Sequence, residues 1–389
     1  MNRKIRVLHI SKRYPPYVGG IETVCHDICS CLKETSEYEQ KVIAFNDKPE
    51  TIEETYDGID VIRVGVQKII ASQPLAKDYD KVVKKAIFEF KPDIIHFQYP
   101  DPFAAHYVLK YMRKFNYNGK FLLQWNCDII KQKFLMKFFD KQNKDLISKA
   151  DIIAIITPTY TKDTSYLPFY KKDYELLSCR VGDARLKITE EQKDKAIQIK
   201  TEHLNKTICF FFGRHVEYKG LKYLIEANQY LDQNKIDIVI AGSGPLTNDL
   251  KKEAKEYKNV SFVGKLSDDD INSYLMACDI FTFPSITRNE AFGISLAEAM
   301  YFGKPSVTFT IKGSGVNWVS INGETGLEAE NKNVKQYASL ITNLSTNKIL
   351  YDKLSTGAKE RCDRLFTIKV FNGNVINLYN KLIGDIKND

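Results

Sequence analysis

The 389-residue sequence has no apolar run of about 18 residues, no C-x-x-C pair, no G-x-G-x-x-G and no low-complexity tract. The first absence argues against a membrane-spanning helix. No signal peptide is expected either, because MNRKIRVLHI leads straight into a strand-like run. The eight cysteines are scattered, with Cys25, Cys29 and Cys31 crowded on one predicted helix, and they read as reduced thiols of a cytoplasmic protein. The missing glycine fingerprint disfavours an NAD-type oxidoreductase, since GSGPLT (242–247) carries Thr at the third glycine position. The six histidines show no metal-ligand spacing, and no nucleophile elbow or Ser/His/Asp order is present. Metal: none is expected.

What is present is enough for two full cores. The composition is 43% apolar and 12% aromatic, and the length suggests two domains of about 180–200 residues. The net charge of +8 is uneven: residues 1–180 hold 29 Lys/Arg against 23 Asp/Glu, and residues 181–389 hold 28 against 26. Most of the excess lies in 107–149, where ten basic residues face three acidic ones. Such clustering favours a local anionic partner and disfavours nucleic acid.

Short apolar strand candidates alternate with helical patterns. Strands are expected at 6–10, 41–45, 60–64, 93–97, 120–125 and 151–156, then at 207–213, 236–242, 260–264, 279–283 and 305–309. Helices are expected between them at 20–34, 77–90, 102–115, 130–149 and 160–167, then at 219–231, 245–257, 268–277, 292–302 and 333–345. Buried parallel strands joined by helical crossovers produce this rhythm. The fold class is therefore α/β, with two tandem Rossmann-like doubly wound domains and ligands at the strands' carboxyl ends, in an interdomain cleft. The charged stretch 187–206 reads as a linker between domains 1–186 and 207–365.

Three segments carry chemistry on that frame. SKRYPPYVGGIE (11–22) follows the first strand, and Gly19 and Gly20 let backbone N–H groups approach a phosphate or sugar; an ordinary Pro/Gly loop is the plainer reading. In FFGRHVEYKGLKYLIEA (211–227), Arg214 and Lys219 flank a loop that enters a helix near Gly220. A guanidinium and an ammonium beside a helix start suit a diphosphate, against the alternative of two solvated cations. In TRNEAFGISLAEAM (287–300), Glu290 and Glu298 are eight apart, which on an unbroken helix leaves the pair about 80° apart, off a shared face. The spacing fits better with Glu290 in a loop, residues 291–294 at the helix start and Glu298 two turns inside.

Other features read as structural. Ser267 in SDDDIN looks like an N-cap with acidic residues in the first turn. His96 and His106 bracket a strand end and a helix, where packed or capping histidines are more common than ligands. Segment 129–149 has Phe134, Leu135, Phe138 and Phe139 to one side with six lysines around them, either a core-packing helix or a membrane-surface one.

These stretches, with IAGSGPL, FVGKLSDDDI and above all NEAFGISLAEAMYFGKP, resemble the retaining glycosyltransferases of family 4, which have the GT-B fold. The similarity runs from residue 6 to about 365, and stretch 366–389 matches the family's C-terminal helix that crosses back to the first domain. The resemblance implies a nucleoside-diphosphate sugar donor, no cofactor and no obligatory metal. It implies that Glu290 takes the donor sugar's hydroxyls, that the amides of Ala291, Phe292, Gly293 and Ile294 bind sugar and phosphate oxygens, and that Glu298 holds the ribose. Arg214 and Lys219 would neutralise the leaving diphosphate, Lys265 and Leu266 would touch the base, and Gly19 and Gly20 would close over the diphosphate. The family usually has a histidine in an H-S-D-I stretch; here QWNCDIIKQK (124–133) puts Asn126 in its place. Asparagine cannot exchange a proton at neutral pH, so a non-catalytic nucleotide-sugar-binding homologue is the alternative. The stretch 313–326 looks most like mannosyl- and related transferases using GDP- or UDP-sugars, a lean toward GDP-mannose. The acceptor would be a hydroxyl of a glycan or lipid-linked molecule, and 107–149 a peripheral contact with anionic membrane on its inner face.

Overall fold

The structure, a computed structural model, describes residues 3–17, 19–70, 73–127, 133–159, 161, 166–170, 172–181 and 188–388; the side chains of 133–138 and 385–388 are outside that description. The chain divides into two compact units: Met1–Ser178 with Phe371–Asp389, and Cys179–Val370.

In the first unit the strands are β1 (Ile5–Ile10), β2 (Tyr38–Phe45), β3 (Ile52–Tyr56), β4 (Ile59–Val64), a small hairpin of β5 (Lys68–Ile70) and β6 (Gln73–Leu75), then β7 (Ile94–Tyr99), β8 (Lys120–Trp125), β9 (Ile152–Ile155) and β10 (Glu175–Leu176). The main sheet has the order β10-β9-β8-β7-β1-β2-β4-β3. All its pairs are parallel except β3 with β4. Every residue of β7 is buried, as expected of a central strand covered on both faces. The strand order reverses between β1 and β7, so the loops after those two strands flank the switch point of this unit.

The second unit contains β11 (Thr207–Phe212), β12 (Ile236–Ala241), β13 (Val260–Gly264), β14 (Ile280–Phe283), β15 (Ser306–Phe309) and β16 (Gly326–Ala329), in the order β13-β12-β11-β14-β15-β16. All pairs are parallel, which puts the carboxyl ends on one edge. The switch point lies between β11 and β14.

The C-terminal helix Ile368–Asn388 buries Phe371, Val375, Leu378, Tyr379 and Leu382. Their spacing is that of one helical face, and from Phe371 onward the helix belongs to the first unit.

Two expectations are corrected. Stretch 187–206 is no linker: Glu190–Glu202 is a helix of the second unit, opened by a reciprocal capping box between Thr189 and Gln192. It is pinned by Gln192 to Asp269 (2.6 Å) and by the Lys195–Asp270 ion pair, and it buries Ala196 and Ile199. Its apolar stripe is too narrow to register against so many charges. The division accordingly falls at Ser178/Cys179, not at 186/187. The edge strands β3, β10 and β16 were not anticipated, because short or solvent-facing strands carry no continuous apolar run; β3 is almost wholly exposed.

Candidate functional site

At the switch point of the second unit, the loop after β11 runs from Gly213 to Gly220 and the loop after β14 from Pro284 to Gly293. Gly220 is left-handed (φ +64°), and a Cβ there would lie 2.1 Å from the Pro284 carbonyl oxygen, so only glycine lets the two loops approach this closely. The approach brings Lys219 and Glu290, 71 positions apart in sequence, into an ion pair of 2.5 Å (Nζ to Oε2). Both side chains are only 11% exposed. Ser285 Oγ donates to the same Glu290 oxygen at 3.3 Å, Ser314 Oγ donates to the Glu290 carbonyl, and Lys219 Nζ stands 5.0 Å over the Phe283 ring. Removing either charge would strand the other in a desolvated place, at about 3–5 kcal/mol.

Past Glu290, Ala291 accepts from Gly315 N (3.1 Å) and Phe292 is buried against Phe366. Gly293 (φ +90°) precedes the helix Ile294–Tyr301, and no side chain caps that helix. A Cβ on Gly293 would meet the Phe283 ring at 3.1 Å. The helix start therefore offers uncapped N–H groups next to a buried carboxylate–ammonium pair, a place suited to hydroxyl and phosphate oxygens. One detail differs from expectation: the helix begins at Ile294, so residues 291–293 precede it and Glu298 sits little more than one turn inside. The left-handed glycine delays the helix by that much. Glu298 is buried.

Arg214, directly after Gly213, is exposed at the same carboxyl edge, and Lys265 (exposed) with Leu266 follows β13. Two other motifs have structural roles, of which only that of Ser267 was expected. Ser267 caps Asp268–Ala277 by accepting from Asp270 N. The Gly244 loop is folded against His215, with Gly244 N donating to Thr247 Oγ1 at 2.8 Å.

The remaining expected residues belong to the first unit. Gly19 and Gly20 stand at the start of the helix Gly20–Glu34, where Gly19 is extended (φ −176°) and supplies no side-chain cap. Asn126, at the carboxyl end of β8, is 3% exposed; its Nδ2 donates to Gln98 Oε1 (3.0 Å) and to the Tyr99 carbonyl (3.1 Å). Its Oδ1 has no partner among the described residues. Sequence spacing singled out His96 but missed Gln98 and the link of both to Asn126, because that connection runs across neighbouring strands. Burial and the His9 ring hold the His96 imidazole well below its usual range, so it is neutral. His106 is exposed. Spacing also missed the clustering of His9, Cys25 and Cys29, whose ligand atoms lie within 4.8 Å; all three are fully buried, and His9 Nε2 is 3.1 Å from Gln40 Oε1. All eight cysteines are free.

Comparison with known proteins fits this geometry. The model for glycosyl transferases group 1 matches residues 192–361, and that for glycosyltransferase family 4 matches residues 18–151. The O-antigen chain mannosyltransferase C of Escherichia coli is 26% identical over 97% of this chain and 99% of its own. A D-rhamnosyltransferase of Pseudomonas aeruginosa is 27% identical over 93% and 92%. Among solved structures, sucrose-phosphate synthase from Thermosynechococcus elongatus superposes with a TM-score of 0.78 at 17% identity, covering 98% of this chain and all of that one. The Anabaena HepE protein, solved with UDP and glucose, gives 0.75 at 16% identity over 97% of this chain and all of its own. The chain belongs to the family 4-type glycosyltransferases and has the GT-B fold.

Proposed function

We propose that the protein transfers a sugar, with retention of configuration, from a nucleoside-diphosphate sugar to a hydroxyl of a glycan or lipid-linked acceptor in cell-surface polysaccharide assembly. The observation that carries this reading is the buried Lys219–Glu290 pair at the uncapped start of the helix Ile294–Tyr301. In this reading Glu290 accepts hydrogen bonds from the donor sugar's hydroxyls while Lys219 holds its carboxylate in place. Arg214 and Lys219 take up the charge that builds on the leaving diphosphate, work for which other enzymes use a metal. The amides of 291–294 bind sugar and phosphate oxygens, Glu298 holds the ribose, and Lys265 and Leu266 lie along the base. In the first unit, Gly19 and Gly20 offer backbone N–H groups to the diphosphate, and Asn126 offers a neutral contact to the transferred sugar. The leaving phosphate itself takes the acceptor hydroxyl's proton, so no side-chain base is required at position 126.

The relatives at 26–27% identity are named for mannosyl and D-rhamnosyl transfer, which supports a GDP-linked hexose of the manno series as first candidate, with UDP-sugars next. Attachment to an anionic membrane surface through 107–149 is part of the proposal. Arg113 and Lys114 are exposed there, although Arg113 and Lys144 are each paired with an acidic residue. The apolar side chains of Phe134, Leu135 and Phe138 lie outside the described ones, and among the described residues no helix is long and apolar enough to cross a membrane. A panel of nucleotide-sugars, read by thermal shift and by slow donor hydrolysis without acceptor, tests the proposal. At least one nucleoside-diphosphate sugar should raise the melting temperature and release its diphosphate; a panel without any shift rejects the reading.

A further inference from the structure

Four buried side chains of the first unit form a single hydrogen-bonded file without a formal charge. Asn126 is joined to Gln98 (3.0 Å), Gln98 Nε2 lies 3.2 Å from His96 Nε2, and His96 Nδ1 lies 2.8 Å from Tyr379 Oη on the C-terminal helix. Exposure is 3% at Asn126, 1% at Gln98 and 0% at His96 and Tyr379. The direction of every bond follows from one group that cannot turn round. The Tyr99 carbonyl only accepts, so Asn126 must present its NH2 there, at 3.1 Å. The second amide hydrogen goes to Gln98 Oε1, which turns the Gln98 NH2 toward His96. His96 Nε2 then has to accept, its proton sits on Nδ1, and Tyr379 Oη receives it. At the other end of the file, Asn126 Oδ1 is left as a buried acceptor with no partner among the described residues.

We infer that Gln98, His96 and Tyr379 are positioning residues that lock the Asn126 amide so that Oδ1, an acceptor, faces a hydroxyl of the transferred sugar. This rests on the proposed function's placing of Asn126 beside that sugar. The inference deepens that reading in two respects. The C-terminal helix contributes to the site without touching the donor, through two intervening side chains. The site also selects a hydroxyl at that position against a carboxylate or carbonyl, because two acceptors would face each other; a hexose donor is preferred over the matching hexuronic acid. His96 has to stay neutral for the file to hold, and the groups facing it, the His9 ring at 5.4 Å and Tyr379, supply no negative charge to protonate it.

Two measurements test this. The first is a double-mutant cycle on transfer rate with Gln98→Met and Asn126→Ala. Gln98→Met alone should lower kcat by roughly 10-fold, and should add no further loss on the Asn126→Ala background, because it acts only through Asn126. Equal losses on both backgrounds, as a general loosening would give, overturn the inference while leaving Asn126 its role. An Asn126→Ala enzyme as fast as the parent removes the role of Asn126 itself, and the inference with it. The second measurement needs no activity: nitrogen-15 NMR of the wild-type histidines, with His96 assigned by His96→Gln. The Nδ1–H tautomer, unchanged between pH 5 and 8, is expected; the Nε2–H tautomer or a titration in that range overturns the inference.

Discussion

The carboxyl ends of the two parallel sheets hold different buried polar groupings, a charged pair in the second unit and an uncharged file in the first. In the second unit the switch point carries charge: Lys219 and Glu290 are buried together at 2.5 Å, with Arg214 exposed nearby. In the first unit the carboxyl end of β8 carries an uncharged amide–amide–imidazole–phenol file whose Asn126 oxygen has no partner among the described residues, while Lys12, Arg13 and Asp101 lie on the neighbouring loops after β1 and β7. A charged pair suits a ligand part that carries charge, and a fixed neutral acceptor suits one that carries hydroxyls. A nucleoside-diphosphate sugar has both parts.

If the contrast is real, charge removal in the second unit should cost more than amide removal in the first. Glu290→Ala is expected to have the largest effect, lowering transfer by about 10²–10³-fold, since it strands Lys219 and leaves sugar hydroxyls unpaired. A steady-state assay beside a melting curve checks this, and a loss smaller than that of Asn126→Ala would reverse the comparison. Next come Lys219→Ala and Arg214→Ala, each expected to weaken binding of the free nucleoside diphosphate by about 1–3 kcal/mol while nucleoside affinity barely changes. Calorimetry with both ligands decides; unaltered diphosphate affinity in both variants would take the diphosphate away from this loop. The smallest effect concerns the basic stretch 107–149, where each Lys or Arg near an anionic surface contributes at most about 1 kcal/mol and less as salt rises. Co-sedimentation should favour anionic over neutral liposomes at low salt, and equal binding to both would leave the first unit without a membrane role.

The same contrast explains what the sequence made legible. Arg214, Lys219, Glu290 and Glu298 stand in local stretches where a strand end, a glycine and a helix start follow one another, so they can be picked out as candidates within fifteen residues. The sequence did not show that Lys219 and Glu290 pair directly, because the close approach depends on Gly220 meeting the Pro284 carbonyl. Central strands were legible from apolar runs, while β3 and β16 were not, since edge strands need no such run. The helix Glu190–Glu202 was hidden because its burial rests on Ala196 and Ile199 among charges. The Asn126–Gln98–His96–Tyr379 file was the least legible feature, since it joins β8, β7 and the C-terminal helix across up to 283 positions, and uncharged polar residues leave no spacing signature.

The most direct test of sugar transfer by this chain is the rate of nucleoside diphosphate release from the donor that shifts the wild-type melt, measured in the wild type, Asn126→Ala and Asn126→His. The account predicts turnover in the wild type and a loss of about 10–100-fold in Asn126→Ala, as expected when one or two neutral contacts to the transition state disappear. Turnover found only in Asn126→His, with wild type and Asn126→Ala equally silent, would contradict it and make the natural protein a binder of nucleotide-sugars.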